Sequence, residues 1–142
     1  MVNAAIVGLG WWGQVLVNSV QDKSDVIKFT HGATRTKSKA QDFADEKGFT
    51  LVDSYEDLLS NDDVDAVVLA TPHSKHREQI EAAAAAGKHV FCEKPITLTK
   101  ADAEASIAVC HAAGVQCAVG FNRRFHPSIA EAKKLVDDGA MG

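Results

Sequence analysis

Three glycines near the start of the chain constrain its fold more than any other feature. Gly8, Gly10 and Gly13 have the spacing G-x-G-x-x-G, directly after the apolar run at 4–7 and directly before a helical pattern that begins at Trp12. Glycine triplets at this spacing also occur by chance, but a preceding strand and a following helix are the context of a phosphate-binding loop. Such a loop needs glycine for a tight turn, for close approach of a pyrophosphate and for helix–strand packing. The sequence therefore predicts a dinucleotide-binding loop, and the alternative is a glycine-rich turn without a ligand.

The rest of the chain alternates short apolar runs with segments of helical period. We predict strands at 4–7, 26–34, 66–70, 89–92 and 117–121, and a weaker strand at 49–52. Continuous apolar runs such as AVVLA are typical of strands that are buried on both faces. The order βαβαβ(α)βαβαβα predicts an α/β fold, a doubly wound parallel sheet of the Rossmann type with about six strands and helices on both faces.

Capping signals mark the ends of the helices. The capping-box spacing occurs at three pairs: Ser54 with Asp57, Thr99 with Asp102, and Ser128 with Glu131. Glycine follows a helical pattern and precedes a strand at three positions: Gly48, Gly87 and Gly114. These glycines predict left-handed helix ends.

Composition narrows the class of protein. The 142 residues suit one domain, and the net charge of −4, spread along the chain, argues against a nucleic-acid or membrane-surface partner. No stretch has the roughly 18 apolar residues of a membrane helix, and no basic segment resembling a signal peptide precedes the first strand. Three cysteines without a C-x-x-C pair indicate reduced thiols, so we expect a cytoplasmic protein.

The end of the second predicted strand indicates which dinucleotide binds. An NAD site has an acidic residue there for the ribose 2′-OH, but the first carboxylate here is Asp42, well inside the next helix. Thr34, Arg35, Lys37 and Ser38 supply cations and hydroxyls instead. A 2′-phosphate suits this chemistry because arginine binds it with two hydrogen bonds. We predict NADP in preference to NAD, and the alternative is a solvated basic helix start.

Two further segments are predicted to line the cofactor crevice. Ligands of such sheets bind beyond the carboxyl ends of the first and fourth strands, at the switch point of the topology. After the fourth strand come four predicted cofactor-binding residues: Thr71, Pro72, His73 and His76. The two histidines have the spacing of a metal pair, but no third ligand cluster accompanies them, so we predict no metal and keep a solvated helix start as the alternative. We also place Trp11 and Trp12 at the cofactor, with core packing as the alternative for Trp12.

Four segments together resemble one known family. They are VGLGWWG at 7–13, ATPHSKH at 70–76, AGKHVFCEKP at 86–95 and GFNRRFHP at 120–127, in this order along nearly the whole chain. The chain resembles the glucose–fructose oxidoreductase and inositol dehydrogenase family, called Gfo/Idh/MocA. The resemblance implies an NAD(P)-dependent oxidoreductase of sugars, cyclitols or related hydroxyl and carbonyl compounds.

The resemblance also implies roles for individual residues. Lys94 matches the lysine of the family's E-K-P motif, which contacts the reacting hydroxyl and transfers a proton, and Glu93 orients it. Asn122 and Arg123 match a segment at the nicotinamide and substrate end. One departure is His73, which stands where the family usually has Asn, so its ribose contact is in question.

The second departure concerns domain organisation. The resemblance implies a substrate domain with a second catalytic group, and the chain ends where that domain begins in the family. We predict an NAD(P)-binding domain at 1–127 and, at 128–142, a connecting helix toward a second domain that binds the small-molecule substrate and allows a homo-oligomer. The alternative function is a non-catalytic dinucleotide-binding module or redox sensor.

Overall fold

A computed structural model describes residues 1–140, which form one parallel sheet with helices on both faces. The strands are β1 (Val2–Val7), β2 (Ile27–Ala33), β3 (Thr50–Leu51), β4 (Ala66–Leu69), β5 (His89–Cys92) and β6 (Cys117–Val119). The helices are α1 (Trp11–Val20), α2 (Gln41–Lys47), α3 (Tyr55–Leu59), α4 (His76–Ala85), α5 (Lys100–Ala112) and α6 (Pro127–Asp137). Strands and helices alternate throughout, so the predicted doubly wound fold is confirmed.

The order of the strands places two loops side by side. The sheet runs β3-β2-β1-β4-β5-β6, so the topology changes direction between β1 and β4. The register pairs Val7 with Leu69 on one side and with Ala33 on the other. The segments that follow these three residues therefore leave the sheet at the same edge, which is where ligands of such folds bind.

The core consists of two apolar clusters, one on each face of the sheet. Successive residues of β1 belong to alternate clusters: Ala5 and Val7 pack on one face, and Ala4 and Ile6 on the other. All four are buried, as expected for a central strand covered by helices on both sides.

The two outermost predicted strands are about half as long in the structure. At 49–52 only Thr50–Leu51 pairs, although Phe49 is buried in the core. At 117–121 the strand ends at Val119, because the N–H of Phe121 donates to the carbonyl oxygen of Val119 and turns the chain. Both are edge strands, where one side of the ladder is missing.

The helix starts agree with the sequence at two of the three predicted capping sites. Ser54 and Asp57 form the reciprocal capping box of α3, and the side chain of Thr99 accepts a hydrogen bond at the start of α5. The prediction for Ser128 is wrong, because α6 begins one residue earlier, at Pro127, and His126 is its N-cap. The left-handed conformation at helix ends is confirmed at all three predicted glycines, Gly48, Gly87 and Gly114.

The last helix, α6, lies on the surface. It packs against the 3₁₀ turn Asn122–Phe125, and no residue of α6 is buried. Its apolar residues Ile129, Leu135 and Val136 are exposed. The end of the predicted segment 128–142, at Met141 and Gly142, lies outside the described residues.

Within residues 1–140, no helix combines the length and the apolar character needed to span a lipid bilayer.

Candidate functional site

The three glycines after β1 have different surroundings. Gly8 has a φ of 94°, and a β-carbon there would lie 2.5 Å from the carbonyl oxygen of Ala70. A β-carbon on Gly13 would lie 1.9 Å from the carbonyl oxygen of Gly8. A β-carbon on Gly10 would meet no atom within 4 Å. The fold thus requires glycine at the first and third positions, whereas the second glycine borders open space.

The N-terminus of α1 is suited to an anion. Gly10 is the N-cap and has no side chain to accept a hydrogen bond from the first turn, which also contains no acidic residue. The first N–H groups of a helix have no intrahelical acceptor and carry the positive end of the helix dipole. Phosphate groups bind at such helix ends.

Two clefts open on either side of this loop and meet at Ala70 and Thr71, which line both. The β2-side cleft, about 720 Å³, contains six predicted residues: Gly8, Gly10, Thr34, Arg35, Thr71 and Pro72. The β5-side cleft, about 470 Å³, contains eight: Trp11, Trp12, Thr71, His73, Glu93, Lys94, Asn122 and Arg123. Three predicted residues line neither cleft: Gly13, Ser38 and His76.

The basic segment after β2 is arranged differently from the sequence-based expectation. The ammonium of Lys37 lies 2.7 Å from a carboxylate oxygen of Asp53, and this hydrogen bond and charge lower the pKa of Asp53. Lys37 is therefore neutralised by a partner, and Ser38 lies outside the cleft lining. The cations that line the β2-side cleft beside the end of β2 are Arg35 and Lys39, and neither makes an ion pair within residues 1–140.

Tyr55 and Gln79 also line the β2-side cleft, although neither is among the residues predicted from the sequence. The hydroxyl of Tyr55 donates to the carbonyl oxygen of Gln79 at 2.8 Å, and burial raises the pKa of this phenol. The hydroxyl of Thr71 donates to the side-chain oxygen of Gln79 at 2.5 Å. Tyr55 follows the carboxyl end of β3, so the strand-end rule identifies it. No local signal marks Gln79, which lies within α4.

Two tryptophans form one wall of the β5-side cleft. Their ring centroids lie 5.4 Å apart. Trp11 is 77% exposed, whereas the indole Nε1 of Trp12 is buried and has no hydrogen-bond partner among residues 1–140. A buried indole N–H without an acceptor is unfavourable, because the group has lost its hydrogen bond to water. Trp12 thus lines the cleft while its Nε1 is buried.

Glu93 and Lys94 occupy the floor and the opening of the same cleft. The carboxyl group of Glu93 is buried at 7% exposure, and a β-carbon on Gly120 would lie 2.7 Å from its Oε1. Its Oε2 accepts the backbone N–H of Lys94 at 3.2 Å, so Glu93 contacts the main chain of Lys94 rather than the ammonium. The Lys94 side chain is exposed and forms no ion pair within the described part of the chain.

Asn122 and Arg123 close the far side of this cleft from the 3₁₀ turn after β6. Both also line, with Lys94, an adjoining cleft of about 460 Å³. Lys94 thus stands where the two openings meet, and residues 1–140 leave it accessible from outside.

The two histidines after β4 have different positions. His73 is exposed and lines the β5-side cleft, and its ring lies edge-on to the ring of His76, with 5.5 Å between centroids. His76 is fully buried, with Nδ1 2.8 Å from the carbonyl oxygen of Pro95 and Nε2 3.0 Å from that of Thr71. Burial behind the cleft rules out direct contact with a ligand in it, so the sequence-based role of His76 is corrected to that of a supporting residue.

The described residues contain no cluster of three potential metal ligands. Both ring nitrogens of His76 face carbonyl oxygens, which leaves neither nitrogen directed at a site shared with His73.

The thiols are poor nucleophiles. Burial raises the pKa of Cys92 to about 12 and that of Cys117 to about 11. Because the thiolate is the reactive form, a raised pKa disfavours nucleophilic attack by these two cysteines near neutral pH.

Comparison with known proteins adds three findings. Residues 2–121 match the family model described as an oxidoreductase family with an NAD-binding Rossmann fold. The scyllo-inositol 2-dehydrogenase (NAD(+)) of Bacillus subtilis strain 168 is 36% identical over 143 residues, which cover 99% of this chain and 42% of that protein. The chain spans about two fifths of the length of the curated relatives it matches.

Two solved structures are similar along the chain. A scyllo-inositol dehydrogenase from Lactobacillus casei, with bound NAD(H) and scyllo-inositol, has a TM-score of 0.90 at 33% identity and covers 100% of this chain and 42% of its own. The 3-ketoreductase KijD10 from Actinomadura kijaniata, in complex with NADP and TDP-benzene, has a TM-score of 0.91 at 30% identity. The match covers 99% of this chain and 43% of the KijD10 chain.

Proposed function

Because the chain belongs to the Gfo/Idh/MocA oxidoreductase family, we propose that it is the NAD(P)-binding part of an oxidoreductase acting on sugars, cyclitols or related compounds. The observation that carries this proposal is the pair of clefts that meet at Ala70 and Thr71. One holds free cations, and the other holds Glu93 and Lys94. A ligand with an anionic half and a reactive half fits this arrangement.

The residues at the junction of the clefts fit a dinucleotide. The space in front of Gly10 is open, and the N-terminus of α1 has no side-chain cap. Trp12 lines the neighbouring β5-side cleft together with Trp11. We assign the diphosphate to the loop from Gly8 to Gly13 and the nicotinamide half to the β5-side cleft. The nicotinamide, when bound, supplies the acceptor or donor of hydride.

The chain's own residues then handle position and protons. Lys94 holds the mobile proton on its Nζ, at the opening where a substrate hydroxyl would enter. Glu93 fixes the backbone of Lys94 by accepting its N–H. Asn122 and Arg123 border the same opening and orient the substrate end.

We infer that NADP is preferred to NAD. Thr34 stands at the end of β2, where an acidic residue would repel a 2′-phosphate. Arg35 and Lys39 line the cleft there without ion-pair partners in residues 1–140, whereas Lys37 is neutralised by Asp53. The 2′-phosphate therefore meets two available cations.

We propose that the substrate is bound by a further domain, connected through the segment 128–142. The relatives are more than twice as long as this chain, Lys94 is exposed, and α6 presents Ile129 and Val136 to solvent. Such a domain would exclude water from Lys94 and provide the surface for a homo-oligomer. The mixed surface charge and the three unpaired cysteines support a cytoplasmic protein without a nucleic-acid or membrane partner.

Calorimetric titration of the 142-residue chain tests the proposal directly. We expect NADPH to bind in this titration. In a dehydrogenase assay, we expect a panel of polyols to be turned over little or not at all, since the substrate contacts lie in the proposed further domain. Absence of dinucleotide binding would remove the proposed function, and robust turnover by this chain would contradict the proposed division into domains.

The exposure of Lys94 favours a second candidate function, a non-catalytic dinucleotide-binding module or redox sensor. The two functions differ in what Lys94 does. A sensor needs the dinucleotide affinity and not the lysine, whereas the oxidoreductase loses turnover when Lys94 is replaced.

A further inference from the structure

His76 is a fully buried imidazole that the proposed chemistry does not use. It opens α4 and lies between two carbonyl oxygens, with Nδ1 2.8 Å from that of Pro95 and Nε2 3.0 Å from that of Thr71. Carbonyl oxygens only accept hydrogen bonds. A neutral imidazole donates to one of them, and an imidazolium donates to both. The ring therefore packs between these two segments, contacts both, and donates a hydrogen bond to at least one of them.

The two carbonyl oxygens belong to the segments that follow β4 and β5, and residues of both segments line the β5-side cleft. Thr71 lines that cleft and its neighbour, at the junction of the two. Pro95 directly follows Lys94, the residue assigned to proton transfer. Thr71 and Pro95 are 24 positions apart in the sequence, so only the tertiary structure brings both to the side chain of His76.

Few other polar contacts hold the segment after Lys94, although Ile96 packs against the core and Thr97 is buried. The N–H of Glu93 donates to the carbonyl oxygen of Leu69 at 3.0 Å, which ends the strand pairing before Lys94. Beyond it, the thiol of Cys92 lies 3.9 Å from the carbonyl oxygen of Ile96, a weak contact for a weak donor. The contact of His76 Nδ1 with the carbonyl oxygen of Pro95, at 2.8 Å, is thus the shortest described polar contact between the residues that directly follow Lys94 and the rest of the domain.

Thr71 depends less on His76. Its hydroxyl donates to Gln79 at 2.5 Å, so loss of the imidazole leaves this residue with a second attachment to α4. The effect of removing His76 should therefore fall mainly on the turn at 93–95.

We propose that His76 is a positioning residue that ties the turn carrying Lys94 to Thr71 and so sets the geometry of the nicotinamide half of the site. The effect of His76 on the nicotinamide half rests on the proposed function. The contact that joins Thr71 to Pro95 through His76 is present in the chain without any ligand.

The test compares three variants of the 142-residue chain. His76→Leu keeps bulk and removes the donors, His76→Gln keeps an amide donor, and Val64→Ala is the control. Val64 is buried in the core and lines none of the three clefts, so its truncation lowers overall stability without touching the turn. The first measurement is hydrogen exchange at the amides of Glu93 and Lys94 without cofactor. The second is the affinity for NADPH and for adenosine 2′,5′-bisphosphate, which lacks the nicotinamide half.

We expect His76→Leu to accelerate exchange at these two amides about five- to tenfold relative to Val64→Ala, the effect of losing one hydrogen bond in a local opening. His76→Leu should lower the affinity for NADPH by a similar factor and leave the affinity for adenosine 2′,5′-bisphosphate unchanged. His76→Gln should show smaller changes in both the exchange rates and the NADPH affinity. Should His76→Leu not fold, His76→Gln must by itself show the smaller, local acceleration.

If the exchange rates of His76→Leu match those of Val64→Ala, or if the affinities for both ligands fall equally, the positioning role is overturned. Failure of the parent chain to bind NADPH would refute the proposed function instead, and the exchange measurement would then decide the role of His76 alone.

Discussion

Gly13 faces the carbonyl oxygen of Gly8 so closely that a β-carbon on Gly13 would lie 1.9 Å from it. The first turn of α1 therefore packs directly on the loop that leaves β1. Gly10, between the two, has no atom within 4 Å of the corresponding position. The same motif thus contains glycines needed by the fold and a glycine whose empty space faces the cleft.

Gly10→Ala should retain the fold and lose dinucleotide affinity. Its φ of −68° suits alanine, and the change at the N-cap should cost about 1 kcal/mol of stability. The new methyl group occupies the space assigned to the diphosphate, so we expect NADPH to bind at least about tenfold more weakly, which corresponds to about 1.4 kcal/mol. Urea unfolding and calorimetry measure the two effects, and unchanged affinity would show that no ligand group approaches Gly10.

Gly13→Ala should have the opposite balance. A contact of 1.9 Å with a backbone oxygen cannot be relieved by a side-chain rotation, so α1 must move away from β1. We expect a loss of about 3 kcal/mol or more, in the range of severe core overpacking. Circular dichroism during urea unfolding, with Gly10→Ala as the matched control, measures it. Equal stability of the two variants would contradict the packing role.

Arg35→Ala should reduce the preference for NADPH over NADH. Charge-assisted hydrogen bonds contribute roughly 1.5–3 kcal/mol each, so one or two give a preference of about tenfold to a few hundredfold. Lys39→Ala should act in the same direction, and Lys28→Ala, the control, should have little effect because this exposed lysine of β2 lines none of the three clefts. Calorimetry with both dinucleotides decides the matter. Equal affinities in the parent would mean that Arg35 stacks on the adenine without binding a phosphate.

Lys94→Met in a chain that includes the substrate domain should lower kcat far more than it weakens cofactor binding. General acid–base groups contribute about 10²–10⁴-fold to rate. Lys100→Met, also at an exposed lysine, is the control and should leave kcat near normal. Steady-state kinetics across pH and a cofactor titration separate the two quantities. A variant with normal kcat would assign Lys94 to the turn alone.

Tryptophan fluorescence should report occupancy of the site. Trp11 and Trp12 are the only tryptophans of the chain, and both line the β5-side cleft. Reduced nicotinamide absorbs where indole emits, so bound NADPH should quench their emission by energy transfer, and NADP⁺ should quench it less. A titration with each form measures this difference. Identical quenching by NADPH and adenosine 2′,5′-bisphosphate would place the nicotinamide outside this cleft.

The site was predictable where one short segment carries both the structural and the chemical signal. The glycine loop, the polar residues after β4 and the E-K-P segment all follow the carboxyl ends of predicted strands, and parallel strands bring those ends to one edge. Glu93, Lys94 and Arg123 therefore appear together in the β5-side cleft as the pattern indicated. The lengths of the edge strands and the first residues of helices were less predictable. At a helix start, neighbouring residues can each act as the N-cap. Pro127 is pre-organised for the first position of α6, which makes His126, not Ser128, the cap.

The sequence by itself determined the order of strands and helices, the parallel sheet and the edge at which a ligand binds, because periodicity and turn chemistry are local properties of the chain. Tertiary structure alone decided which side chains reach that edge. The pairing of Lys37 with Asp53 leaves Arg35 and Lys39 as the available cations, and burial between Thr71 and Pro95 keeps His76 out of the cleft lining. These roles depend on segments from 16 to 24 residues apart that meet only when the sheet is closed by its helices, so no local pattern encodes them.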